Sequence, residues 1–395
     1  MRDLPLLLVA ASAAVLAATW IGYPLWLERR SRGLVRPPPP AHATWPSVTI
    51  VVTVRNAEAW LRDLLLSLLS LDYPPEQRRI LVVSNASNDF TDAIAGLFAD
   101  RGVELLRVLR VRRTAAAAEN LARRYVASDL VVTVHPAARP KPSALMALVA
   151  PFADRTVGVA YAREVAPFAA GERAAIRESF YRRYESWLRE RETLVFGTVS
   201  ARRAMYAVRG ELYRSPVPAT LSPDFAPVLT AREQGFRAVY AGDAECRLAQ
   251  PVSLRGDYAR TVHTVARDVA TLLLKPHLLD PRRYGAFAWI LLGHKLGPWL
   301  SSWATLFGVV GLAALAPAHP WARAVLAVVV LPGLAALAAW LLPTSPEGTR
   351  PTPVPFPVRV AAATVANLHA WLRALRAMPD LHLEPSPRPL FRMRL

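Results

Sequence analysis

The sequence is poor in cysteine and in lysine. Cys246 is the single cysteine among 395 residues, which excludes an intrachain disulfide. No histidine stands beside it in the sequence, so it is a poor candidate for a nucleophile and we expect it in the core. Lysine supplies three of the 48 basic residues, Lys141, Lys275 and Lys295. An arginine excess of this kind can follow from the base composition of a genome, so by itself it says nothing about function.

Signals for nucleic-acid binding are also missing. The net charge of +18 would suit such a partner. The chain nevertheless has no zinc-finger spacing and no motif that interleaves aromatic with basic residues. Its arginines are scattered, apart from Arg29, Arg30, Arg32 and Arg36, which directly follow an apolar run, as the cytoplasmic flank of a membrane span does. We therefore expect a membrane partner and no nucleic acid.

Three long apolar runs without charge are present, at 6–27, 296–316 and 324–342. The first has 22 residues, about 33 Å as a helix, which is enough to cross a hydrocarbon core of roughly 30 Å. It is too long for a signal-peptide core, and no small-x-small cleavage site follows it. We interpret it as an uncleaved anchor and the other two runs as membrane spans.

A last helix is predicted over 358–377. Arg359, Asn367, His369 and Arg373 interrupt its apolar stripe. Two interpretations stay open: an interfacial helix on the cytoplasmic surface, or a fourth span.

Strands and helices are predicted to alternate from residue 48 to residue 134. The strand segments read "SVTIVVTV", "RRILVVSN", "VELLRVLRV" and "LVVTV", with helical patterns between them. This alternation favours an α/β fold with a doubly wound, mostly parallel sheet. Ligands of such sheets bind beyond the carboxyl ends of the strands. His135, Pro136 and Ala137, which follow the last of these strands, should therefore face the ligand.

The composition divides the chain into five predicted parts. These are a transmembrane anchor (1–28), a Pro- and Arg-rich linker (29–46), a cytoplasmic domain (47–280), an interfacial segment with two transmembrane helices (281–342), and a Pro-rich loop with an amphipathic or transmembrane helix and a basic tail (343–395).

From about residue 47 to residue 342 the chain resembles the membrane-bound family 2 glycosyltransferases. "SVTIVVTVRNAEAW" is similar to their first strand and Asn-Glu loop, with Asn56 and Glu58 at the motif positions. "ILVVSNASNDFTD" resembles their second strand and Asp-Gly-Ser-x-Asp-x-Thr loop, with Asn85 and Asp89. "TLSPDFAPVLTAREQGFRAVY" resembles their Glu-Asp segment, with Asp224. The resemblance implies the Rossmann-like nucleotide-diphospho-sugar transferase fold.

The chain departs from this family where the donor diphosphate would bind. The family's Asp-x-Asp metal motif reads His135-Pro136-Ala137, and Ala115 stands where the family has a lysine. Mg²⁺ or Mn²⁺ is what the family uses, but no cofactor follows firmly here, and His135 is a weak metal candidate because these hard cations prefer oxygen ligands. Arg139 and Lys141 could replace the charge of the metal, or could be solvated loop residues.

Two functions follow from the resemblance. The first is a glycosyltransferase of the plasma (inner) membrane, multi-pass with its catalytic domain in the cytoplasm. It would move a sugar from a UDP-sugar to a lipid or polysaccharide acceptor. Asp224 would be the base, Asn56, Glu58, Asn85 and Asp89 would bind the nucleotide, and Arg139 and Lys141 the diphosphate. The second is an inactive relative that acts as a partner or scaffold in an envelope-polysaccharide complex, since the lost motifs converge on the diphosphate. Asp89 and Asp224 could also be helix N-caps.

Overall fold

The computed structural model describes residues 3–35, 44–109, 115–165, 180–199, 204–215, 218, 221–248, 254–341, 355–377 and 391–393. The chain forms two compact units. One comprises Met1–Arg30 with Pro251–Leu383, and the other Ser31–Gln250 with Glu384–Leu395. We refer to them as the helical unit and the sheet unit.

The strands of the sheet unit have the following bounds: β1 Val48–Val54, β2 Arg78–Asn85, β3 Val103–Val108, β4 Leu130–Val134, β5 Ala138–Pro140, β6 Val157–Val165, β7 Met205–Arg209, β8 Arg237–Leu248 and β9 Phe391–Met393. The α-helices of both units are α1 Leu4–Ala17, α2 Tyr23–Ser31, α3 Glu58–Leu69, α4 Thr91–Gly96, α5 Ala115–Ala122, α6 Ala144–Val149, α7 Phe180–Val195, α8 Gly210–Arg214, α9 Ala226–Glu233, α10 Leu254–Leu273, α11 Pro281–Tyr284, α12 Ala286–Ile290, α13 Gly297–Leu315, α14 Pro320–Leu341 and α15 Phe356–Ala377.

The nine strands form one sheet in the order β5-β8-β6-β7-β4-β1-β2-β3-β9. The four predicted strands, β1 to β4, pair in parallel with one another, as β6 and β8 also do, and β2 and β4 have the predicted bounds. The predicted α/β class with a mostly parallel sheet is confirmed. The far half is mixed, because β7 pairs antiparallel with β4 and with β6, and β5 pairs antiparallel with β8.

The sheet is curled. β5 begins four residues after β4 ends, yet three strands, β8, β6 and β7, separate the two in the order of the sheet. So short a connection requires the β5–β8 edge to turn back toward the end of β4.

Helix α3 shows why the sheet unit is stable. Its buried face consists of leucines at i, i+3, i+4 and i+7, each without exposed surface: Leu61, Leu64, Leu65 and Leu68. This spacing puts all four on one side of the helix, where they join the core cluster that also contains β1 and β2 residues. Burial of each leucine contributes about 1.5–3 kcal/mol relative to exposure. The start of α3 is thereby fixed beside the carboxyl end of β1.

Among the described residues, three helices are long and apolar enough to cross a membrane: Leu4–Ser31, Ala286–Leu315 and Pro320–Leu341. Each contains all of one predicted apolar run or all but its last residue. The first two pack together along glycines. A Cβ added at Gly293 would lie 2.0 Å from the Tyr23 ring, and one at Gly311 would lie 2.8 Å from the Pro5 carbonyl oxygen. Such close backbone approach is typical of helices that associate in lipid.

The division into units differs from the predicted domain boundary at residue 280. Helix α10 belongs with the apolar helices, because it packs along α15. The predicted C-terminal helix is present as α15.

Candidate active site

The loops that follow β1 and β2 are bonded to each other by their own side chains. The Asn56 amide N–H donates to Ser87 Oγ at 3.2 Å, and the Asn88 N–H donates to Asn56 Oδ1 at 3.1 Å. The Glu58 N–H donates to Asp89 Oδ2 at 3.2 Å, and the Phe90 N–H donates to Glu58 Oε2 at 3.0 Å. Side chains of both loops thus satisfy backbone donors where α3 and α4 begin.

The Asp89 side chain also accepts a hydrogen bond from the first residue of α4. The Thr91 N–H donates to Asp89 Oδ1 at 3.0 Å. Burial raises the pKa of Asp89, but the hydrogen bonds from Thr91 and from the Glu58 amide outweigh it and hold the pKa below its usual value. Asp89 therefore stays ionised and keeps the two loops in place.

Two residues of these loops have left-handed backbone conformations. Asn56 has φ +51° and Ala86 has φ +50°. Asparagine tolerates this region, whereas alanine is strained there by about 1–2 kcal/mol. The resembled family has glycine at the position of Ala86. Asn85, just before it, ends β2 and is 4% exposed. The predicted nucleotide residues Asn56, Glu58, Asn85 and Asp89 are thus brought together at the carboxyl ends of β1 and β2.

The turn after β4 does not suit a divalent metal ion. The Ala137 N–H donates to His135 Nδ1 at 3.1 Å. Nδ1 thus already accepts a backbone hydrogen bond, and hard cations such as Mg²⁺ and Mn²⁺ prefer oxygen ligands to an imidazole nitrogen. Pro136 and Ala137 have no ligating side chains. Within the described part of the chain, no group of three or more His, Cys, Asp or Glu side chains could hold a metal.

The two predicted diphosphate cations are paired with carboxylates. Arg139 donates to the Ala138 carbonyl at 2.8 Å and to the Trp60 carbonyl at 3.1 Å, and lies 3.6 Å from Asp63. Lys141 forms an ion pair with Glu245. The Lys141 side chain is 44% exposed and that of Glu245 27%. Both cations would have to exchange these partners to bind a diphosphate.

Asp224 lies in a buried setting, 8% exposed, two residues before α9. It is not an N-cap: Phe225 has the cap position and no side chain caps α9. The Tyr161 hydroxyl donates to the Asp224 backbone carbonyl at 2.8 Å. Tyr161 in turn packs against Tyr206, with ring centroids 5.5 Å apart. Asp224 is therefore anchored from the middle of the sheet, where Tyr161 of β6 lies opposite Tyr206 of β7.

A buried polar layer beside Asp224 was missed from the sequence. Glu119 of α5 is 5% exposed and pairs with Arg123 at 3.6 Å. Arg123 stacks over the Tyr213 ring at 4.2 Å and donates to the carbonyls of Tyr213 and Ser215. Burial first, and then the charge of Glu119, raises the pKa of Tyr206, and Asp224 adds to this effect. In the family segment where Ala115 replaces a lysine, the position of Glu119 is a leucine. That substitution was the available signal in the sequence.

Cys246 lies in β8 without exposed surface, and burial raises its pKa to about 12. As expected, it is a core residue. A depression of about 350 Å³ lies at the other end of the sheet, beside Ser47, Thr49 and Arg79. It contains none of the candidate residues.

A curled, mostly parallel sheet with polar loops at the carboxyl ends of its first two strands defines a nucleotide-sugar transferase fold. The fold matches that of a mannosyltransferase from Pyrobaculum calidifontis, solved with GDP-Man and Mn²⁺, at a TM-score of 0.71 and 23% identity. The match covers 93% of this chain and 99% of the other. Residues 49–208 match the family model Glycosyl transferase family 2.

Two further solved structures are more distant. S. aureus TarS, solved with UDP-GlcNAc, has 13% identity and a TM-score of 0.42, covering 85% of this chain and 92% of the other. The glucosyl-3-phosphoglycerate synthase of Mycobacterium tuberculosis, solved with Mn²⁺, UDP and phosphoglyceric acid, has 19% identity and a TM-score of 0.37, covering 62% and 80%. A search of curated protein sequences found no match.

Proposed function

We propose that this protein transfers a sugar from a nucleotide-diphospho-sugar to an acceptor hydroxyl at a membrane, with Asp224 as the general base. The observation that carries the proposal is the setting of Asp224. It is buried, anchored through its own carbonyl by Tyr161, and placed in the segment that resembles the family's catalytic segment. A base must be held within hydrogen-bond reach of the hydroxyl that it deprotonates.

The proposed reaction is a single displacement at the anomeric carbon of the sugar. The acceptor oxygen forms a bond to the anomeric carbon while the bond from that carbon to the diphosphate breaks, and the acceptor proton passes to Asp224. The nucleoside diphosphate leaves with the bonding electrons. Arg139 and Lys141 would stabilise its charge after releasing Asp63 and Glu245. The proposed reaction uses no metal ion, because the turn after β4 lacks the carboxylates that would hold one.

The donor is proposed to be a UDP-sugar or a GDP-sugar. The sequence resemblance favours UDP. The mannosyltransferase of matching fold was solved with GDP-Man. Asn85 and Asp89, at the end of β2, would face the base and ribose.

The acceptor is proposed to be a lipid or a glycan at the plasma membrane. Three helices of sufficient length and apolarity support a membrane mount. Arg29 and Arg30 at the end of the first of them support a cytoplasmic catalytic domain, since basic flanks stay on the cytoplasmic side.

An inactive relative that serves as a scaffold is the second candidate. It is favoured by one observation: both cations near the expected diphosphate are already neutralised, Arg139 by Asp63 and Lys141 by Glu245. A scaffold of this kind would neither bind a nucleotide-sugar nor turn it over.

The test of the proposal is sugar transfer from radiolabelled UDP- and GDP-sugars to membrane lipid and glycan by the purified, reconstituted protein. Asp224→Asn should lower the rate by about 10²–10⁴-fold while nucleotide binding is kept. Asp100→Asn, a change at an exposed carboxylate on the Ala99–Arg101 turn, is the matched control and should keep the full rate. Full activity in Asp224→Asn would discard the base, and no transfer by the unmodified protein would favour the scaffold.

A further inference from the structure

We propose that α15, held by α10, lies flat on the membrane surface with one uncharged arc of its circumference in the lipid. The inference rests on the membrane mount proposed above. It decides between the two interpretations left open by the sequence, an interfacial helix and a fourth span.

The exposed arc of α15 is uncharged and carries large apolar side chains. Five large apolar side chains on it are 47–62% exposed: Phe356, Val360, Val365, Leu372 and Leu375. At 100° per residue they fall within about half of the helix circumference. Arg359, Arg373 and Arg376 all lie outside this arc. The helix contains no Asp or Glu. An apolar arc on a helix whose charged side chains are all basic is typical of a helix at the surface of a membrane.

The opposite side of α15 is fixed to α10. Val358, Ala366, Ala370 and Ala374 recur every four or eight residues and are buried. Two polar contacts join the helices: Arg359 pairs with Asp257 at 3.2 Å, and the Tyr258 hydroxyl is 3.0 Å from His369 Nδ1. These contacts hold α10 and α15 side by side, so the two helices must lie at the same depth relative to the membrane.

A spanning α15 conflicts with these contacts. The uncharged stretch between Arg359 and Arg373 has 13 residues, about 20 Å of helix, whereas the hydrocarbon core is roughly 30 Å thick. Arg359 cannot extend toward the boundary while it pairs with Asp257. A tilt that carried α15 into the bilayer would also carry α10, whose sequence contains Arg255, Asp257 and Arg260. Charges in the core of a bilayer cost several kcal/mol each.

The start of α10 lies at the end of a candidate span. Arg255 donates to the Trp340 carbonyl at 2.6 Å, and the Tyr258 ring meets the Trp340 ring edge-on at 5.1 Å. Trp340 is one residue from the end of α14. Tryptophan and tyrosine collect at the boundary between lipid and water. The α10–α15 pair is thus tied to that boundary, and α15 also packs against α13 and α14. The lipid around α14 would therefore continue across the exposed arc of α15, so lipid rather than a protein partner covers this arc.

Cysteine accessibility tests the proposal, because the native Cys246 has no exposed surface and serves as an unlabelled background. The purified full chain is reconstituted into vesicles of phosphatidylcholine and phosphatidylglycerol in equal parts and treated with a membrane-impermeant maleimide. Val365→Cys and Leu372→Cys probe the arc. Pro355→Cys and Arg376→Cys, at exposed positions flanking or ending the helix, are the matched controls.

We expect Pro355→Cys and Arg376→Cys to be labelled from the same side of the membrane. Val365→Cys and Leu372→Cys should lose labelling in intact vesicles and regain it in detergent. Labelling of the two ends from opposite sides would establish a fourth span and overturn the proposal. So would labelling of the arc in intact vesicles, or protection that persists in detergent, which would indicate a second copy of the chain. Release of the unmodified protein by an alkaline wash would instead refute the membrane mount itself.

Discussion

At the scale of single residues, Ala86 is held in a conformation that its side chain disfavours. Its φ of +50° belongs to the region that glycine adopts without cost. Ala86→Gly should therefore raise the free energy of unfolding by up to about 1 kcal/mol, reduced by the greater freedom of glycine in the unfolded chain. Thermal unfolding in detergent measures the change.

Gly102 is the matched control for Ala86. It has φ +82°, and a Cβ added there would meet no atom within 4 Å. Gly102→Ala thus adds backbone strain without a steric clash and should lower the melting temperature. A lower melting temperature for Ala86→Gly as well would contradict the argument from strain.

Tyr161 and Tyr240 offer a comparison of two buried hydroxyls on neighbouring strands. Tyr161 donates to the carbonyl of Asp224, whereas Tyr240 lies 3.3 Å from Ser186 Oγ. Tyr161→Phe removes a hydrogen bond worth about 1 kcal/mol, so kcat should fall about fivefold with little change in the donor KM. Tyr240→Phe should leave kcat unchanged. Equal effects of the two changes on kcat would show that Tyr161 has only a structural role.

At the scale of elements, the bonded loops after β1 and β2 depend on Asp89. Asp89→Ala leaves the amides of Glu58 and Thr91 without their acceptor and should cost about 1–2 kcal/mol of stability. Because the folded pKa is depressed, this contribution is complete above the unfolded pKa near 3.9 and is lost as the pH falls through the folded value.

The difference in melting temperature between the unmodified protein and Asp89→Ala should therefore be constant near neutral pH and shrink below about pH 4. Asp100→Ala, at an exposed site, is expected to change neither the melting temperature nor its dependence on pH. A difference that stays constant down to strongly acidic pH would exclude the ionised carboxylate as the cause.

The elements that sequence reasoning predicted are those whose pattern is local. β2 and β4 are centred on short runs of buried, mostly β-branched apolar residues, and α3 repeats leucine at helical spacing. β5 has three residues, too few for a pattern, and forms through pairing with β8 about 100 residues away. The contacts of Glu119 with Arg123 and of Arg123 with Tyr213 depend in the same way on the folded sheet. The proximity of the loops after β1 and β2 was predictable because strand ends meet at one edge, but the ion pairs of Arg139 and Lys141 were not.

At the scale of the whole molecule, the chain combines a sheet of the nucleotide-sugar transferase fold, within which residues 49–208 match the model of glycosyl transferase family 2, with helices suited to a membrane. The central claim is that the sheet unit binds a nucleotide-diphospho-sugar with its own cations in place of a metal.

The ion pair of Lys141 with Glu245 has a matched control in the chain. Arg237 and Asp154 form an ion pair of similar exposure at the start of β8. Only the first pair lies near the turn after β4, where the Lys141 N–H also donates to the Glu245 carbonyl at 3.0 Å.

The most direct measurement is calorimetric titration of the purified protein with UDP, GDP and their sugars, in EDTA and again with Mn²⁺. We predict binding of at least one nucleotide in EDTA, little change on addition of Mn²⁺, weaker binding in Lys141→Met and unchanged binding in Arg237→Met. Absence of binding under both conditions, or binding that requires Mn²⁺, would contradict the account.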